Sequence, residues 1–425
     1  MIEMKQALNK VRSIRWIIIL VGAILFTFQT KGQQSLNDYL VQAAENNPGL
    51  KAKFNLYLAA LEAVEGQAAL PDPTLSFGYF ISPVETRVGP QQFRVSVSQM
   101  FPWMGTTRLR QQAAIQQAKI RYEQFMEAKN QLFLQVKLKW LELYELEQEI
   151  RINRENLGIL GSYEPVTKAK YEANLVSLAD LIRVQINLDE ARIGLELLEL
   201  KRTPLLSDFN TLLNQPVDSE VTVTDTLTLA LETIAFDSLL ANQPAIKTAR
   251  LKVELAGTDE LLAANKTKPN LGIGLDYVFV GQRTDAVVED NGRNALMPTV
   301  SMSLPVFGRK NRSLKKSAAL RTEAMKSNLE AIESQLRNDW QQVAYQLDKA
   351  LKEIALYRDE VQKTQILLRV LTTEYTNNSR DFEELLASQQ RLLALRLSEV
   401  RATIAFQRAV FQQNYLTATT LNELK

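Results

Sequence analysis

The chain has 425 residues, of which 46% are hydrophobic and 23% are charged, and its formal net charge is +2. This composition excludes a disordered chain and a polytopic membrane protein, and the near-zero charge gives no electrostatic sign of nucleic-acid binding. The sequence contains no histidine and no cysteine, which excludes histidine bases, cysteine nucleophiles, thiolate metal sites and disulfides. We therefore expect neither an enzyme nor a bound cofactor, although carboxylate, lysine and tyrosine chemistry stay open.

Residues 1–32 have the pattern of a secretory signal peptide. Four basic side chains, Lys5, Lys10, Arg12 and Arg15, precede an uncharged apolar run over residues 16–28, and Gly32 is a small residue at the expected cleavage point. That run spans about 20 Å as a helix, which is short of the roughly 30 Å hydrocarbon core of a membrane. We predict cleavage near Gly32, and the alternative is an uncleaved N-terminal anchor.

The rest of the chain is predicted to contain two repeats, residues 33–215 and residues 216–425. Pro48, Ala60, Pro73 and Gly78 each recur as the same residue type 196 positions later. A proline–glycine step, PWMG in the first repeat and PVFG in the second, lies at matching positions further along. Each repeat is predicted to contain short helices, a strand hairpin and two long helices, so the same structural unit occurs twice in the chain.

Four strands are predicted, over residues 73–82, 92–101, 270–280 and 296–304, because large apolar side chains alternate there with small or polar ones. Each strand is long enough to cross a bilayer when tilted. We expect the apolar face to meet lipid through Phe77, Tyr79, Val95, Ile273, Tyr277 and Met302. Four strands cannot close a barrel, and lipid does not tolerate an open edge, so several copies must share one barrel. A soluble antiparallel sheet is the alternative for any single hairpin.

Four long helices are predicted, over residues 105–172, 177–213, 308–375 and 380–421. The first would reach about 100 Å at about 1.5 Å per residue. Apolar residues recur every seven positions, as in Leu181, Leu188 and Leu195 and in Ile186, Ile193 and Leu200. Heptad spacing over such lengths predicts coiled-coil packing. The fold class is therefore mainly α with a small β portion, in a duplicated helix–hairpin–helix protomer.

Over residues 35–421 the sequence resembles the TolC-like outer-membrane efflux proteins. The resemblance rests on the duplicated element order, the proline–glycine steps, and the two turns YEANLVSLADL and YTNNSRDFEELL between the long helices. It implies a homotrimer with a shared 12-stranded outer-membrane β-barrel and a long periplasmic α-helical coiled-coil barrel. The implied partners are a periplasmic adaptor (membrane fusion protein), an inner-membrane pump and outer-membrane lipid, with no nucleic acid.

The resemblance also assigns roles to residues in the two turns. The adaptor-docking tip would comprise Asn174, Leu175, Val176, Asn378 and Ser379. Asparagine tolerates the left-handed backbone of such reversals better than most residues do. For Leu175 and Val176, packing within the tip itself is the alternative.

The resemblance further implies a periplasmic gate at Asp180 and Glu384, which would form acidic rings in a trimer. Arg183 and Arg380 are the expected bridges, since each lies three or four residues from one of those carboxylates. The alternative is that both carboxylates are ordinary solvated surface charges.

The predicted function is a passive exit channel of a tripartite efflux system. It would lie in the outer membrane, extend into the periplasm, and export drugs, metal ions or other toxic solutes. The segment QMFPWMGTTR loosely resembles the heavy-metal efflux branch, but the chain shows no recognisable soft-metal site. A type I protein-secretion outlet of the same fold and a periplasmic coiled-coil scaffold remain as alternatives.

Overall fold

The computed structural model describes residues 35–223, 227, 229, 242–376 and 382–420. The predicted signal peptide and the predicted tip and bridge residues Asn378, Ser379 and Arg380 lie outside them. In chain order the elements are α1 Leu36–Asn46, α2 Pro48–Ala68, β1 Thr74–Thr86, β2 Gly89–Phe101, α3 Thr106–Glu172, α4 Leu178–Leu213, α5 Pro244–Asn265, β3 Leu271–Val280, β4 Ala295–Met302, α6 Gly308–Thr376 and α7 Phe382–Thr417.

Matching sequence signals begin the short helices α2 and α5 in the two halves of the chain. The side chain of Asn47 accepts a hydrogen bond from the Leu50 N–H at 3.1 Å, and Pro48 occupies the first turn. Gln243 accepts from the Ala245 N–H at 3.2 Å, and Pro244 follows it. Proline suits the first turn because the N–H it lacks has no partner inside a helix. The paired prolines of the sequence repeat therefore mark equivalent helix starts.

The first hairpin is longer than the sequence predicted. β1 continues to Thr86 rather than ending at residue 82, so only residues 87 and 88 separate it from β2. The pairing register shifts between Tyr79 and Val84, around Pro83. Proline has no N–H to donate to a ladder and is accommodated at bulges and edge strands. The Ser-Pro step therefore interrupts the pairing without ending the strand.

The four strands form one antiparallel sheet in the order β1-β2-β3-β4. Within each hairpin the strands pair directly, and β2 pairs with β3 to join the two predicted repeats. Val95 lies opposite Phe77 on one side and opposite Tyr277 on the other, which fixes the register across three strands. β1 and β4 are the edges, and neither has a second partner strand among the described residues.

Two compact units share the chain, and each takes segments from both predicted repeats. One unit combines residues 135–229 and 357–404 with α1. Its core includes Leu160, Val184, Leu371, Tyr375 and Leu385 from four helices. Because this unit draws on four helices from both halves, the repeats do not fold as separate globular domains.

The second unit contains the sheet, α2, α5 and the parts of α3 and α6 that adjoin the strands. Aromatic contacts hold α2 on α3, with ring centroids 5.3 Å apart for Phe54 and Phe125 and 5.4 Å apart for Tyr57 and Tyr122. Among the helices that the structure describes, none combines the length and apolar character needed to cross a membrane.

Candidate functional site

One face of the sheet is apolar across all four strands. The ladder register places the six side chains that the sequence assigned to lipid on this face: Phe77, Tyr79, Val95, Ile273, Tyr277 and Met302. Phe77 is 67% exposed and Ile273 is 59% exposed in the protomer, whereas Val95 is half-buried between its neighbours. A contiguous apolar surface of this kind marks a contact with lipid or protein.

Aromatic side chains also form a row across this apolar face. The rings of Phe77 and Phe93 are stacked with centroids 6.2 Å apart, and Phe93 lies 5.5 Å from Phe279. Our sequence analysis did not include Phe93 or Phe279 in the lipid-facing set, although the same alternation pointed to both. Cross-strand aromatic pairs stabilise an antiparallel sheet by about 0.2–1 kcal/mol each.

The opposite face carries mostly small and polar side chains, and its crowding and burial indicate that it is the concave side of a curved sheet. A Cβ atom added to Gly272 would lie 2.3 Å from the Ser301 Oγ and 2.6 Å from the Met100 Sδ. One added to Gly274 would lie 2.6 Å from the Thr299 Oγ1. Burial also alternates along β3, with this face covered and the apolar face exposed. Side chains converge on the inside of a curved sheet, so the glycines leave the room that the curvature requires.

The hairpin ends are joined by an ordered loop network. The N–H groups of Gly281 and Gly292 donate to the carbonyl oxygens of Pro90 and Val88, each at 2.7 Å. Arg283 donates to both carboxylate oxygens of Asp285 at 2.8 and 2.7 Å, which lowers the pKa of Asp285 to about 2. Gly89 has a φ of 128°, and a side chain there would meet the Gly281 carbonyl oxygen at 1.9 Å. The β3–β4 loop therefore packs tightly against the first hairpin.

The turn between α3 and α4 is built from two standard helix caps. Asn174 adopts a left-handed φ of 58°, as the sequence predicted. The N–H groups of Asn174 and Leu175 donate to the carbonyl oxygens of Tyr171 and Lys170, each at 2.9 Å, which is a Schellman motif. On the other side, Ser177 and Asp180 form a reciprocal capping box at the start of α4.

Leu175 and Val176, which the sequence grouped together, have different environments. Leu175 is 57% exposed, whereas Val176 is half-buried and packs against the core shared by α3, α4, α6 and α7. Leu178, which our sequence analysis did not select, is also exposed. The exposed apolar surface of this turn therefore comes from Leu175 and Leu178.

A buried cluster anchors both sides of the second turn, which lies outside the described residues. The Lys170 ammonium lies 3.8 Å from the centroid of the Tyr375 ring, and its Nζ donates to the Tyr375 carbonyl oxygen. The Tyr375 ring lies 5.2 Å from that of Phe382, and Phe382 makes an edge contact with Tyr163. Burial raises the pKa of the Tyr375 phenol, which stays neutral at physiological pH. The end of α6 and the start of α7 therefore pack together against the end of α3.

The predicted gate residues lie beside a bridge between α4 and α7. Arg183 lies 3.4 Å from the Asp180 carboxylate, as expected, and 3.1 Å from the carboxylate of Glu383. Glu384 follows Glu383 in the first turn of α7 and is exposed. Our sequence analysis missed Glu383, because only the approach of the two helices makes it a partner of Arg183. Whether Asp180 and Glu384 act as a gate stays a prediction.

Within the described residues, no group of three or more acidic side chains has the arrangement needed to hold a metal ion. The carboxylates at the turn are instead engaged with Ser177 and Arg183. The geometry offers a curved amphipathic sheet and a capped helical turn rather than a catalytic constellation.

No family model matches the chain, and no curated protein matches it by sequence. The fold, in contrast, matches solved structures over nearly the full length. The chain superposes on the channel CusC with a TM-score of 0.78 and 13% identity, covering 90% of this chain and 91% of CusC. For the outer-membrane channel OprN the TM-score is 0.77 at 15% identity, with 90% and 89% covered.

The outer-membrane channel CmeC of Campylobacter jejuni gives a TM-score of 0.71 at 13% identity, covering 92% of this chain and 89% of CmeC. These structures are channels rather than enzymes. At such low identity the similarity establishes the fold. The mainly α protomer with a small β portion that the sequence predicted is thereby confirmed, and the chain has the fold of these solved outer-membrane channel structures.

Proposed function

We propose that the chain is one protomer of a homotrimeric outer-membrane channel that serves as the passive exit duct of a tripartite efflux system. The observation that carries the proposal is the sheet: an apolar convex face, a mostly small and polar concave face, and two edges that have no partner strand in the part of the chain that the structure describes. In hydrocarbon, unpaired backbone groups are too costly to remain at an edge. Three protomers would supply twelve strands, and β4 of each copy would pair with β1 of the next.

A second apolar surface supports oligomerisation. On α4, Ile186, Ile193 and Leu200 recur every seven residues, and all three are exposed in the protomer, while Leu188 and Leu195 are buried. A helix with two apolar stripes and only one covered has a face for a further helix. We infer that neighbouring protomers cover this stripe in a periplasmic helical barrel.

The exported solutes would be small molecules, such as drugs, metal ions or other toxic compounds, which an inner-membrane pump delivers through a periplasmic adaptor. The solved structures that the chain resembles are outer-membrane channels, which favours this function over a periplasmic scaffold. The N-terminal signal pattern supports export from the cytoplasm and cleavage near Gly32.

Fractionation and electrophoresis test the proposal. We expect the full-length protein in outer-membrane fractions as a detergent-resistant trimer that becomes monomeric on heating, without its first 32 residues. The purified trimer should form ion-conducting pores in planar bilayers. A monomer that retains the apolar N-terminal run and sediments with the inner membrane would exclude this function.

The exposed side chain of Leu175 gives a specific prediction for adaptor docking. Leu175→Asp should abolish drug export while the amount of trimer stays unchanged, because a charge would replace an apolar contact at the turn without disturbing the packed Val176. Drug susceptibility of a strain that carries the variant as its only copy, with its adaptor and pump, measures the effect. Val287→Asp is the control, since Val287 is a fully exposed valine in the β3–β4 loop. Unimpaired export by Leu175→Asp would place docking elsewhere.

A further inference from the structure

Charged residues are rare in the strands and occupy selected positions. The four strands contain only three acidic or basic residues: Glu85, Arg94 and Asp276. Glu85 lies beside the short turn of the first hairpin, where its pairing partner is Pro90. Arg94 and Asp276 are therefore the only charges in the central part of the sheet.

Both of these charges lie on the concave face. Arg94 pairs with Gly78 and Val278, and Asp276 pairs with Ser96 and Met297. Positions paired across a ladder share a face, so Arg94 and Asp276 are diagonal neighbours on adjacent strands. Neither belongs to an ion pair among the described residues of the protomer, so neither charge is neutralised by a direct contact.

The neighbours of these two charges are uncharged: Val278 and Met297 are apolar direct partners, and most of the others are small or polar. Ser76, Ser96, Ser98, Thr299 and Ser301 line the same face, together with Gly78, Gly272 and Gly274. Asp276 is only 9% exposed in the middle of the curved sheet. These two charges of opposite sign therefore dominate the electrostatic field on this part of the concave face.

We propose that Arg94 and Asp276 form a belt of alternating charge inside the barrel, in which each charge offsets the ion preference that the other would impose. The proposal rests on the trimeric barrel of the proposed function. Each protomer contributes one adjacent positive and negative charge, so the belt has three such pairs around the lumen. Fixed charges that line a pore select ions by sign. With both signs present, the intact belt favours neither strongly, and it imposes a transverse field on any solute that passes.

Removing the charge of one sign should leave the ion selectivity that the remaining charge imposes. Asp276→Asn should shift the permeability ratio toward anions, and Arg94→Gln should shift it toward cations. Three charges at about 10 Å from the axis would give a shift on the order of three- to tenfold at low salt. The shift should shrink at 1 M salt, where the screening length is about 3 Å. The double variant should return near the wild-type ratio, and Ser98→Ala should leave the ratio unchanged.

The measurement is the reversal potential of purified trimers in planar bilayers under a salt gradient. If the wild-type protein forms no trimer or no pore, the proposed function itself fails. If trimers conduct and the two single variants keep the wild-type reversal potential, the channel stands and the charge belt is refuted.

A second test does not require removal of either charge. Because the chain contains no cysteine, a single Ser96→Cys substitution places one thiol on the concave face beside Asp276, and Val97→Cys places one on the apolar face. Membrane-impermeant thiol reagents should block conductance through Ser96→Cys and leave Val97→Cys conducting. A cationic reagent should react faster at position 96 than an anionic one of equal size, and Asp276→Asn should reverse that order. The inference would be overturned if the thiol reagents did not block the Ser96→Cys channel, or if the cationic and anionic reagents reacted with it at equal rates.

Discussion

Arginine in place of Phe77 or Ile273 is expected to prevent formation of the detergent-resistant trimer. Both side chains lie on the apolar face of the sheet and are more than half exposed in the protomer. A charge on the lipid-facing side of a barrel strand costs about 2–4 kcal/mol near the bilayer midplane. Each trimer would contain three such charges, so the total cost of about 6–12 kcal/mol is as large as the 5–15 kcal/mol that typically stabilises a folded protein.

The matched control for this prediction is Ser76→Arg. Ser76 precedes Phe77 on the same strand and points to the opposite, concave face. The same charge should be tolerated there because the concave face would be solvated. Heat-modifiable migration in outer-membrane fractions reports the outcome for all three variants. Trimers of normal stability from Phe77→Arg and Ile273→Arg, combined with loss of trimer from Ser76→Arg, would mean that the two faces are reversed.

The strands and helices could be predicted because their signals are local. The alternation of apolar with small or polar residues along β3 predicts which of its side chains are exposed. The register across the sheet then places Phe77, Val95 and Tyr277 on the same face. The extension of β1 past Pro83 could not be predicted, because it depends on a partner strand that tolerates a bulge. Local signals therefore locate strands, while pairing decides where they end.

The turn residues show the same difference between features set by local sequence and features set by contacts between distant residues. Asn174 and the Ser177–Asp180 capping box follow from the preferences of single residues, and the structure shows both. The different environments of Leu175 and Val176 depend on the direction in which each side chain leaves a tight turn, which the sequence does not encode locally. The contact between Arg183 and Glu383 joins residues 200 positions apart. No spacing rule within one helix could identify it.

Arg183→Ala is expected to raise the basal conductance of the channel. Arg183 links α4, through Asp180, to α7, through Glu383, so its loss should loosen the entrance that the two turns are proposed to form. The guanidinium is about half exposed, and such pairs contribute about 0.2–1 kcal/mol each. Three pairs acting together would change the ratio of open to closed channels by between about threefold and about 150-fold.

Arg192→Ala is the matched control, because Arg192 pairs at 3.1 Å with Asp189 on its own helix and, among the described residues, bridges no second element. Its removal should leave conductance unchanged in single-channel recordings.

Glu384→Ala should weaken the cation preference of the channel. Asp180→Ala should act in the same direction, and it should also remove the capping box of α4. Because the cap contributes about 1 kcal/mol to helix stability, Asp180→Asn separates the two roles: its oxygen can still cap while the charge is absent. Wild-type conductance in Arg183→Ala, together with wild-type selectivity in the Asp180→Asn, Glu384→Ala double variant, would show that these residues are ordinary surface charges.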